Sequence, residues 1–215
     1  MKCYFVRHGK TQWNVEGRFQ GGGADSPLLP ESYEEIRQLG IALKDVPFDA
    51  VYSSDLKRAY ETAQLLLAAC EQDLEITQTK ALREWGLGKL EGAKIATMNA
   101  IYPHQMDAFR HNLARFNAGQ FEAESIYQTT HRVCELVDSL KDKHYQHVLF
   151  VGHGANLTAS IRSLLGYEPA LLRANGGLDN ASLTILETND FKSFHCLTWN
   201  DKNYLNAASQ QGSKA

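Results

Sequence analysis

The sequence has few cysteines and no cysteine pair of the C-x-x-C type. Four cysteines are scattered over its 215 residues: Cys3, Cys70, Cys134 and Cys196. Scattered cysteines in apolar contexts are typical of free thiols in a reducing compartment, and they do not form the dense disulfide framework of small secreted domains. Their spacing also differs from that of a structural zinc site. We therefore expect a cytoplasmic protein without disulfides and without a bound metal.

The sequence also lacks a long hydrophobic run and a strong excess of charge. No segment approaches the roughly 20 apolar residues that span a bilayer, and Arg7 and His8 interrupt the first apolar run before it could form a signal peptide. The formal net charge is -3, from 25 acidic and 22 basic residues. The protein therefore has no overall positive charge that would attract nucleic acid or an anionic membrane, and any basic binding site must be local.

What the sequence does contain is an alternation of strand-like and helix-like segments. Apolar, strand-forming runs occur at residues 3–6, 48–53, 76–79, 147–151, 182–187 and 194–199. Amphipathic helical patterns occur at residues 32–43, 56–70, 125–140 and 155–165. The alternation predicts an α/β fold: a three-layer α/β/α domain with a largely parallel central sheet.

The length and patterning predict one domain rather than several. We expect this domain to span residues 1–205 and to be followed by a disordered tail over 206–215. A weaker helical pattern over about 86–135 predicts a helical cap inserted into the sheet domain. The first long helix is predicted to start at Ser32 as N-cap, with Glu35 completing a capping box.

Two of the strand-like runs end in the same way. The first leads into Arg7 and His8, and the second leads into His153 and Gly154. If the two strands lie side by side and parallel, both imidazoles are aimed at one point, at the edge where open α/β sheets bind ligands. Taken alone, Arg7 and His8 could simply mark where a buried strand meets water.

Residues 11–25 contain three consecutive glycines and few apolar residues in register, which predicts a long irregular loop. Loops at strand ends often carry functional groups. Three of its side chains could donate hydrogen bonds to an anion that lies over the first histidine: Asn14, Arg18 and Gln20. The glycines could equally form a flexible surface turn.

Two charged residues occupy informative positions. Arg58 lies in the first turn of the helix predicted over 56–70, where a cation opposes the helix dipole and needs an anionic ligand or partner. Glu84 begins a glycine-rich stretch beside Trp85, and partial desolvation there would suit it to donate a proton. The alternative for each is a solvated residue on the protein surface.

Together these residue types suit a phosphate dianion. Guanidinium groups bind phosphate oxygens in bidentate fashion, and a neutral imidazole can attack phosphorus. Phosphoryl transfer depends mainly on positioning and charge stabilisation, so such a set needs no metal. In this interpretation His8 is phosphorylated, His153 stabilises the transferring group, and Glu84 protonates the leaving oxygen before it activates water.

A longer series of motifs resembles the histidine phosphatase superfamily, also called phosphoglycerate mutase-like. The series runs in order from residue 3 to about residue 185, which makes it far more specific than a lone R-H-G. Its elements are Arg7-His8-Gly9, Thr11-x-Trp13-Asn14, Gly17-Arg18-x-Gln20-Gly21, Asp25-Ser26-Pro27-Leu28, Ser53-Ser54-Asp55-Leu56-x-Arg58-Ala59, Leu82-Arg83-Glu84, Gly88-x-Leu90-Glu91-Gly92 and Val151-Gly152-His153-Gly154. The resemblance implies the fold of that superfamily and a small phosphorylated substrate.

The resemblance also implies a role for ten residues. The catalytic positions are Arg7, His8, Arg58, Glu84 and His153, with His8 as nucleophile and Glu84 as proton donor. The phosphate-binding positions are Arg7, Asn14, Gln20, Gly21, Arg58, His153, Gly154 and Asn180, the last being the weakest match. No metal position is implied.

Phosphatases and mutases of this superfamily share the phosphohistidine, so the cap must distinguish them. The glycolytic mutases bind a phosphoglycerate carboxylate and have an adjacent arginine pair in a proline-rich stretch of the cap. The stretch between Trp85 and Val133 contains neither an adjacent arginine pair nor a proline run. This favours the phosphatase branch, and we expect a metal-independent phosphomonoester hydrolase. The alternative is a cofactor-dependent phosphoglycerate mutase, which would require 2,3-bisphosphoglycerate; otherwise no cofactor is expected.

Two hypotheses from other classes stay open. A metal-dependent hydrolase could use His8 and His153 as ligands, although neither has a carboxylate within several residues. A module that binds phosphorylated ligands without catalysis is the other. No pattern indicates an oligomeric state. Six cap residues are candidates for selecting the substrate: Trp85, Lys89, Phe109, Arg110, Arg115 and Phe116.

Overall fold

The computed structural model describes residues 1–206 and contains one six-stranded sheet. The strands are β1 (Lys2–Arg7), β2 (Ala50–Ser54), β3 (Ile76–Thr79), β4 (His147–Gly152), β5 (Leu183–Glu187) and β6 (His195–Asp201). The α-helices are α1 (Gln12–Val15), α2 (Pro30–Ala42), α3 (Lys57–Cys70), α4 (Ile95–Ile101), α5 (Pro103–His111), α6 (Ile126–Asp138) and α7 (Gly154–Leu164). The tail predicted to be disordered, 206–215, lies outside the described residues except for Asn206.

The order of the strands brings the two histidine motifs together. The sheet order is β3-β2-β4-β1-β5-β6; neighbouring strands are parallel as far as β1, and β5 is antiparallel to both of its neighbours. β1 and β4 are adjacent, and their register pairs Arg7 with Gly152. His8 and His153 therefore follow neighbouring strands at the same edge of the sheet. The prediction of a largely parallel sheet with these two strands side by side is confirmed.

Alternation along β1 explains the layers on the two faces of the sheet. Tyr4 and Val6 pack in the apolar cluster that contains the inner sides of α2 and α3. Cys3 and Phe5 pack in a second cluster, with α6 and α7. Successive side chains of a strand point to opposite faces, so a strand that is apolar at every position must be covered on both sides. The predicted three-layer α/β/α arrangement is confirmed.

The predicted start of the first long helix is wrong. α2 begins at Pro30 with Leu29 as its N-cap, and not at a capping box formed by Ser32 and Glu35. Proline suits the first helical position because its φ is already helical and its missing N–H would have no partner there. Ser32 lies inside the helix, where its Oγ donates a hydrogen bond to the carbonyl oxygen of Lys10 at 2.8 Å.

The segment over residues 11–25 is more ordered than an irregular loop. It contains α1, whose N-cap Thr11 and third residue Asn14 form a reciprocal capping box. The Asn14 Oδ1 accepts a hydrogen bond from the Thr11 backbone nitrogen at 3.0 Å. This turn of helix fixes the chain directly after the first histidine motif.

Between β3 and α6 the chain forms a cap with its own apolar cluster. Trp85 is fully buried there, and its ring centroid lies 5.5 Å from that of Phe109 in an edge-on arrangement. The insertion predicted over about 86–135 extends into α6, but Val133 and Val137 of α6 pack on the sheet. α6 therefore contributes to an outer layer of the sheet domain, while its first residue, Ile126, packs against the cap cluster.

α2 and α3 approach each other closely at Gly40. A Cβ atom placed there would lie 2.5 Å from the Cβ of Ala69 and 2.6 Å from the carbonyl oxygen of Leu66. No side chain fits at those distances without displacing the neighbouring helix. The packing of this layer thus depends on glycine at position 40.

The structure also bears on what the composition suggested. All four cysteines are free thiols in this structure. Within residues 1–206, no helix combines the length and the apolar character that a membrane span requires.

Candidate active site

A cavity of about 220 Å³ lies at the carboxyl ends of β1 and β4, where the cap meets the sheet domain. Six of the ten residues predicted for the site line it: Arg7, His8, Asn14, Gln20, Glu84 and Gly154. The remaining four surround the cavity without lining it: Gly21, Arg58, His153 and Asn180. The sequence motifs therefore converge on one place, with part of the set exposed to a ligand and part buried behind it.

His8 is buried, with 3% of its surface exposed, and its Nδ1 donates a hydrogen bond to the carbonyl oxygen of Gly9 at 2.7 Å. A carbonyl oxygen can only accept, so the proton of the neutral ring resides on Nδ1 and Nε2 keeps its lone pair. Burial lowers the pKa of His8 well below its usual value, and the positive charges of Arg58 and Arg7 lower it further. The ring is therefore neutral at neutral pH and available as a nucleophile through Nε2.

His153 is the N-cap residue of α7 and is fully buried. Its ring centroid lies 5.1 Å from that of His8, and its Nε2 lies 2.8 Å from the Oγ of Ser54. Nδ1 is buried and has no hydrogen-bond partner among the described residues. Burial, followed by the charge of Arg58, lowers the pKa of His153 well below its usual value. His153 therefore has one unpaired ring nitrogen and lies directly beside the His8 ring.

Arg7 also has unused hydrogen-bonding capacity. Its Nη1 donates to the carbonyl oxygen of Leu178, whereas Nε is buried without a partner in the described chain. The guanidinium lies against Gly154, where a Cβ atom would be 2.9 Å from Nε of Arg7. Glycine at this position therefore leaves the room that the Arg7 guanidinium occupies.

Arg58 has the anionic partner that its position in the first turn of α3 led us to expect. Its Nη1 donates to Asp25 Oδ1 at 3.0 Å and to the carbonyl oxygen of Ala24 at 2.6 Å, and Nη2 donates to the carbonyl oxygen of Gly21 at 3.1 Å. Its Nε is a further buried donor without a partner in residues 1–206. Arg58 thus ties the glycine loop to the sheet domain and keeps one donor unused.

Glu84 is anchored by backbone N–H groups. Its Oε1 accepts hydrogen bonds from the nitrogens of Trp85 at 2.8 Å and Asn156 at 2.7 Å, and its Oε2 accepts from Ala155 at 2.9 Å. Two of these donors belong to the first turn of α7, where N–H groups lack helical partners and the helix dipole favours a negative charge. Arg132 Nη2 donates to the Glu84 carbonyl oxygen at 3.1 Å and so holds the backbone as well.

Asn180 supports the site from behind. Its Nδ2 donates to the carbonyl oxygen of His8 at 3.1 Å and to Oδ1 of Asn14 at 3.2 Å. Asn14 lines the cavity, and its own amide nitrogen makes no hydrogen bond to the described residues. Asn180 therefore holds both the backbone at His8 and the Asn14 side chain, which faces the cavity.

Gln20 and Arg18 bring further donors to the cavity wall. Gln20 is oriented by Thr11, whose Oγ1 donates to Gln20 Oε1 at 2.9 Å. Arg18 is partly engaged elsewhere, because its Nε pairs with Glu16 at 2.6 Å and its Nη1 donates to the carbonyl oxygen of Gly92 at 2.9 Å.

Two cap candidates, Phe109 and Arg110, line the cavity, and the other four do not: Trp85, Lys89, Arg115 and Phe116. Arg173, which lies after α7, also lines the cavity and was not among the residues predicted from the sequence. Its Nη1 donates to the carbonyl oxygen of Phe109 at 2.8 Å. No local motif marks Arg173, so only the long-range fold reveals its position.

The charged groups around the two histidines are mainly guanidiniums. In the described part of the chain, no group of three or more His, Cys, Asp or Glu side chains is arranged to hold a metal ion. Arg7 and Arg58 are instead the charges that act most strongly on the His8 ring. The arrangement can bind a small multivalent anion and present a neutral imidazole to it.

Comparison with known proteins agrees with this geometry. The chain matches the family model of the histidine phosphatase superfamily (branch 1) over residues 3–202. It is 33% identical over 187 residues to the probable phosphoglycerate mutase GpmB of Proteus mirabilis, and this match covers 86% of the chain and 83% of the relative.

Solved structures show the same fold. A mycobacterial glucosyl-3-phosphoglycerate phosphatase in complex with VO3 is similar with a TM-score of 0.83 and 29% identity, over 93% of this chain and 98% of that chain. The alpha-ribazole phosphatase of Shigella flexneri is similar with a TM-score of 0.79 and 26% identity, over 94% of this chain and 97% of that chain. These matches include the cap as well as the sheet, and the expected superfamily fold is confirmed.

Proposed function

The chain belongs to the histidine phosphatase superfamily, and we propose that within this superfamily of enzymes it hydrolyses small phosphomonoesters through a phosphohistidine on His8. The observation that supports this most directly is the state of the His8 ring. Nδ1 is bound to the Gly9 carbonyl oxygen, so the lone pair is on Nε2. Arg7, whose charge acts on the His8 ring, has an unpaired Nε, and His153, whose ring centroid lies 5.1 Å from that of His8, has an unpaired Nδ1; we expect these groups to bind the non-bridging phosphate oxygens.

The proposed reaction has two steps. His8 Nε2 forms a bond to phosphorus while the bond from phosphorus to the ester oxygen breaks, and Glu84 gives its proton to the leaving alcohol. Water then attacks phosphorus, Glu84 takes a proton from it, and the P–N bond breaks to release inorganic phosphate and neutral His8. Arg7, Arg58 and His153 stabilise the charge on the transferring group, and no metal takes part.

A second candidate is a phosphoglycerate mutase primed by 2,3-bisphosphoglycerate. The cap sequence has no adjacent arginine pair, but Arg110 and Arg173 both line the cavity and could bind a carboxylate. A relative is named as a probable phosphoglycerate mutase, whereas two similar structures are named as phosphatases. All three names refer to phosphate esters, which is the substrate class that we propose.

The test is time-resolved release of phosphate from a panel of phosphomonoesters in the presence of a chelator. The panel includes 3-phosphoglycerate with and without its bisphosphate. We expect chelator-insensitive release that falls by about 10³-fold or more in His8→Ala, since the nucleophile is removed. His104→Ala is the matched control, because His104 is an exposed cap residue that does not line the cavity.

Each other hypothesis has its own outcome. Loss of turnover on addition of the chelator would indicate a metal-dependent hydrolase. Equal turnover by wild type and His8→Ala, with phosphate still bound, would indicate a binding module. Phosphoglycerate interconversion that is faster than phosphate release would replace our proposal with the mutase.

A further inference from the structure

The backbone that carries Glu84 borders a second cavity. Glu84 lines the catalytic cavity, and it also lines a cavity of about 270 Å³ that lies between α6 and the segment after β3. Among residues 1–206, Glu84 alone lines both cavities. Every other residue that lines the second cavity is a glycine or carries a charge. Apolar packing therefore does not fix the backbone on this side, and polar contacts have to do so.

Arg132 of α6 supplies most of these polar contacts. Its Nη1 donates to the carbonyl oxygens of Arg83 at 2.7 Å, Ala81 at 2.8 Å and Lys80 at 3.3 Å. Its Nη2 donates to the carbonyl oxygen of Glu84 at 3.1 Å, and no other donor in the described part of the chain binds that oxygen. One guanidinium thus holds the main chain that leads to Glu84 and the main chain at Glu84 itself.

Glu124 orients Arg132 and holds the chain that follows Glu84. Its Oε2 accepts hydrogen bonds from Nη2 of Arg132 at 3.0 Å and from the backbone nitrogen of Gly86 at 2.6 Å. Its own carbonyl oxygen accepts from Nε1 of Trp85 at 2.7 Å. The Arg132–Glu124 pair therefore fixes the backbone on both sides of Glu84.

The direction of the Glu84 carboxylate depends on where this backbone lies. Its oxygens accept hydrogen bonds from the Trp85 nitrogen, in its own segment, and from Ala155 and Asn156, in the first turn of α7. The side chain of Asn156 links the two segments again, because its Nδ2 donates to the carbonyl oxygen of Arg83 at 2.7 Å. The carboxylate can bridge the two segments only while the main chain at Glu84 keeps its distance from α7.

We propose that Arg132, paired with Glu124, is a positioning residue for the proton donor: it holds the backbone of Glu84 where the carboxylate meets the leaving oxygen. Arg132 does not line the catalytic cavity, so it acts through Glu84 and does not contact the substrate. This inference rests on the proposed phosphatase function, in which Glu84 protonates the leaving alcohol.

The experiment compares kcat/KM for two esters of similar size, benzyl phosphate and 4-nitrophenyl phosphate. Nitrophenolate is a stable anion that leaves without a proton, whereas the benzyl alkoxide needs one from Glu84. A displacement of about 1 Å costs roughly 10²-fold, so Arg132→Gln should lower kcat/KM for benzyl phosphate by about 10- to 100-fold and for nitrophenyl phosphate by about threefold at most. Loss of stability, or loss of the effect of the Arg132 charge on His153, would slow both esters alike.

Milder variants and controls accompany Arg132→Gln. Arg132→Lys should retain part of the activity on benzyl phosphate, because one ammonium group cannot reach all four carbonyl oxygens. Glu124→Gln should cause a smaller loss in the same direction, and it replaces Arg132→Gln if that variant does not fold. Arg37→Gln is the matched control, since Arg37 also pairs with a glutamate, Glu34, but on the exposed face of α2. Gly40→Ala is the control for a loss of stability. Neither control should change the ratio of the two kcat/KM values.

Amide hydrogen exchange, followed by NMR, measures the anchoring of the carboxylate without turnover. Three amides donate to it: Trp85, Ala155 and Asn156. We expect these amides to exchange about tenfold faster or more in Arg132→Gln than in Gly40→Ala. Equal exchange in the two variants overturns the positioning role, whether or not the wild type is a phosphatase.

Glu84→Gln separates failure of this inference from failure of the proposed function. If Glu84→Gln slows benzyl phosphate selectively while Arg132→Gln and Glu124→Gln leave the ratio at the wild-type value, the positioning role is overturned and the phosphatase stands. If the wild type releases no phosphate, or Glu84→Gln leaves the ratio unchanged, the proposed function fails at Glu84, and hydrogen exchange then decides whether Arg132 positions that carboxylate.

Discussion

Gly154→Ala tests whether the room beside Arg7 matters for activity. The new Cβ would lie 2.9 Å from Nε, 3.0 Å from Cζ and 3.3 Å from Cδ of Arg7. Unstrained non-bonded contacts of carbon are about 3.5 Å or longer, so the guanidinium must move by roughly 0.5 Å. It cannot simply swing away, because Nη1 is bound to the Leu178 carbonyl oxygen.

The size of the effect follows from this displacement. A misplacement of about 1 Å in a site can cost roughly 10²-fold in rate, so half of that distance should cost about tenfold in kcat/KM. This corresponds to about 1.4 kcal/mol of transition-state stabilisation. Overall stability should change little, because the preference of a helix for alanine over glycine, about 0.5–1 kcal/mol, offsets part of the steric cost.

The assay compares kcat/KM for a phosphomonoester of an uncharged alcohol, the affinity for inorganic phosphate and the melting temperature. Gly119→Ala is the control, since a Cβ there has only Asn117 Oδ1 within 4 Å, at an ordinary 3.5 Å. We expect Gly154→Ala to lose activity and phosphate affinity together and Gly119→Ala to lose neither. Wild-type activity in Gly154→Ala would show that the position of Arg7 does not limit the reaction.

Two further predictions concern stability. The free energy of unfolding should decrease as the pH falls below about 6.5, because burial keeps His8 and His153 neutral in the folded protein while both gain protons when unfolded. The slope should be at most about 1.4 kcal/mol per pH unit for each histidine. Urea denaturation between about pH 7 and pH 5 measures it, and a free energy of unfolding without this slope would mean that the rings are exposed. Gly40→Ala should lower the free energy of unfolding by about 1–3 kcal/mol and the melting temperature by roughly 2–12 °C, because its Cβ would overlap with Ala69 and Leu66. We expect kcat to stay at the wild-type value. An unchanged melting temperature would mean that α2 and α3 can move apart without a loss of stability.

The sequence predicted the sheet and the meeting of the two histidine motifs at one edge because both depend on local patterns. The apolar run of β1 stops at Arg7 and His8, and the same pattern recurs at the end of β4. Strand pairing then follows from the rule that parallel strands present their carboxyl ends at one edge. Six of the ten predicted residues accordingly line one cavity.

The errors and omissions arise where local signals compete or are missing. Ser32 and Glu35 have the spacing of a capping box, but Pro30 starts α2 earlier and places Ser32 inside the helix. Arg173 has no neighbouring motif at all. Arg162 of α7 binds three carbonyl oxygens of the segment that contains Arg173. No periodic pattern of apolar residues in the sequence indicates these contacts.

The anchoring of Glu84 has a consequence for how this site tolerates sequence change. Every hydrogen bond that its carboxylate accepts comes from the main chain, at Trp85, Ala155 and Asn156. Exchange of a side chain at any of these positions, proline excepted, leaves the donor in place. Substitutions at the neighbouring positions should therefore leave the hydrogen bonds of the Glu84 carboxylate unchanged, and only a change in the path of the backbone should alter them.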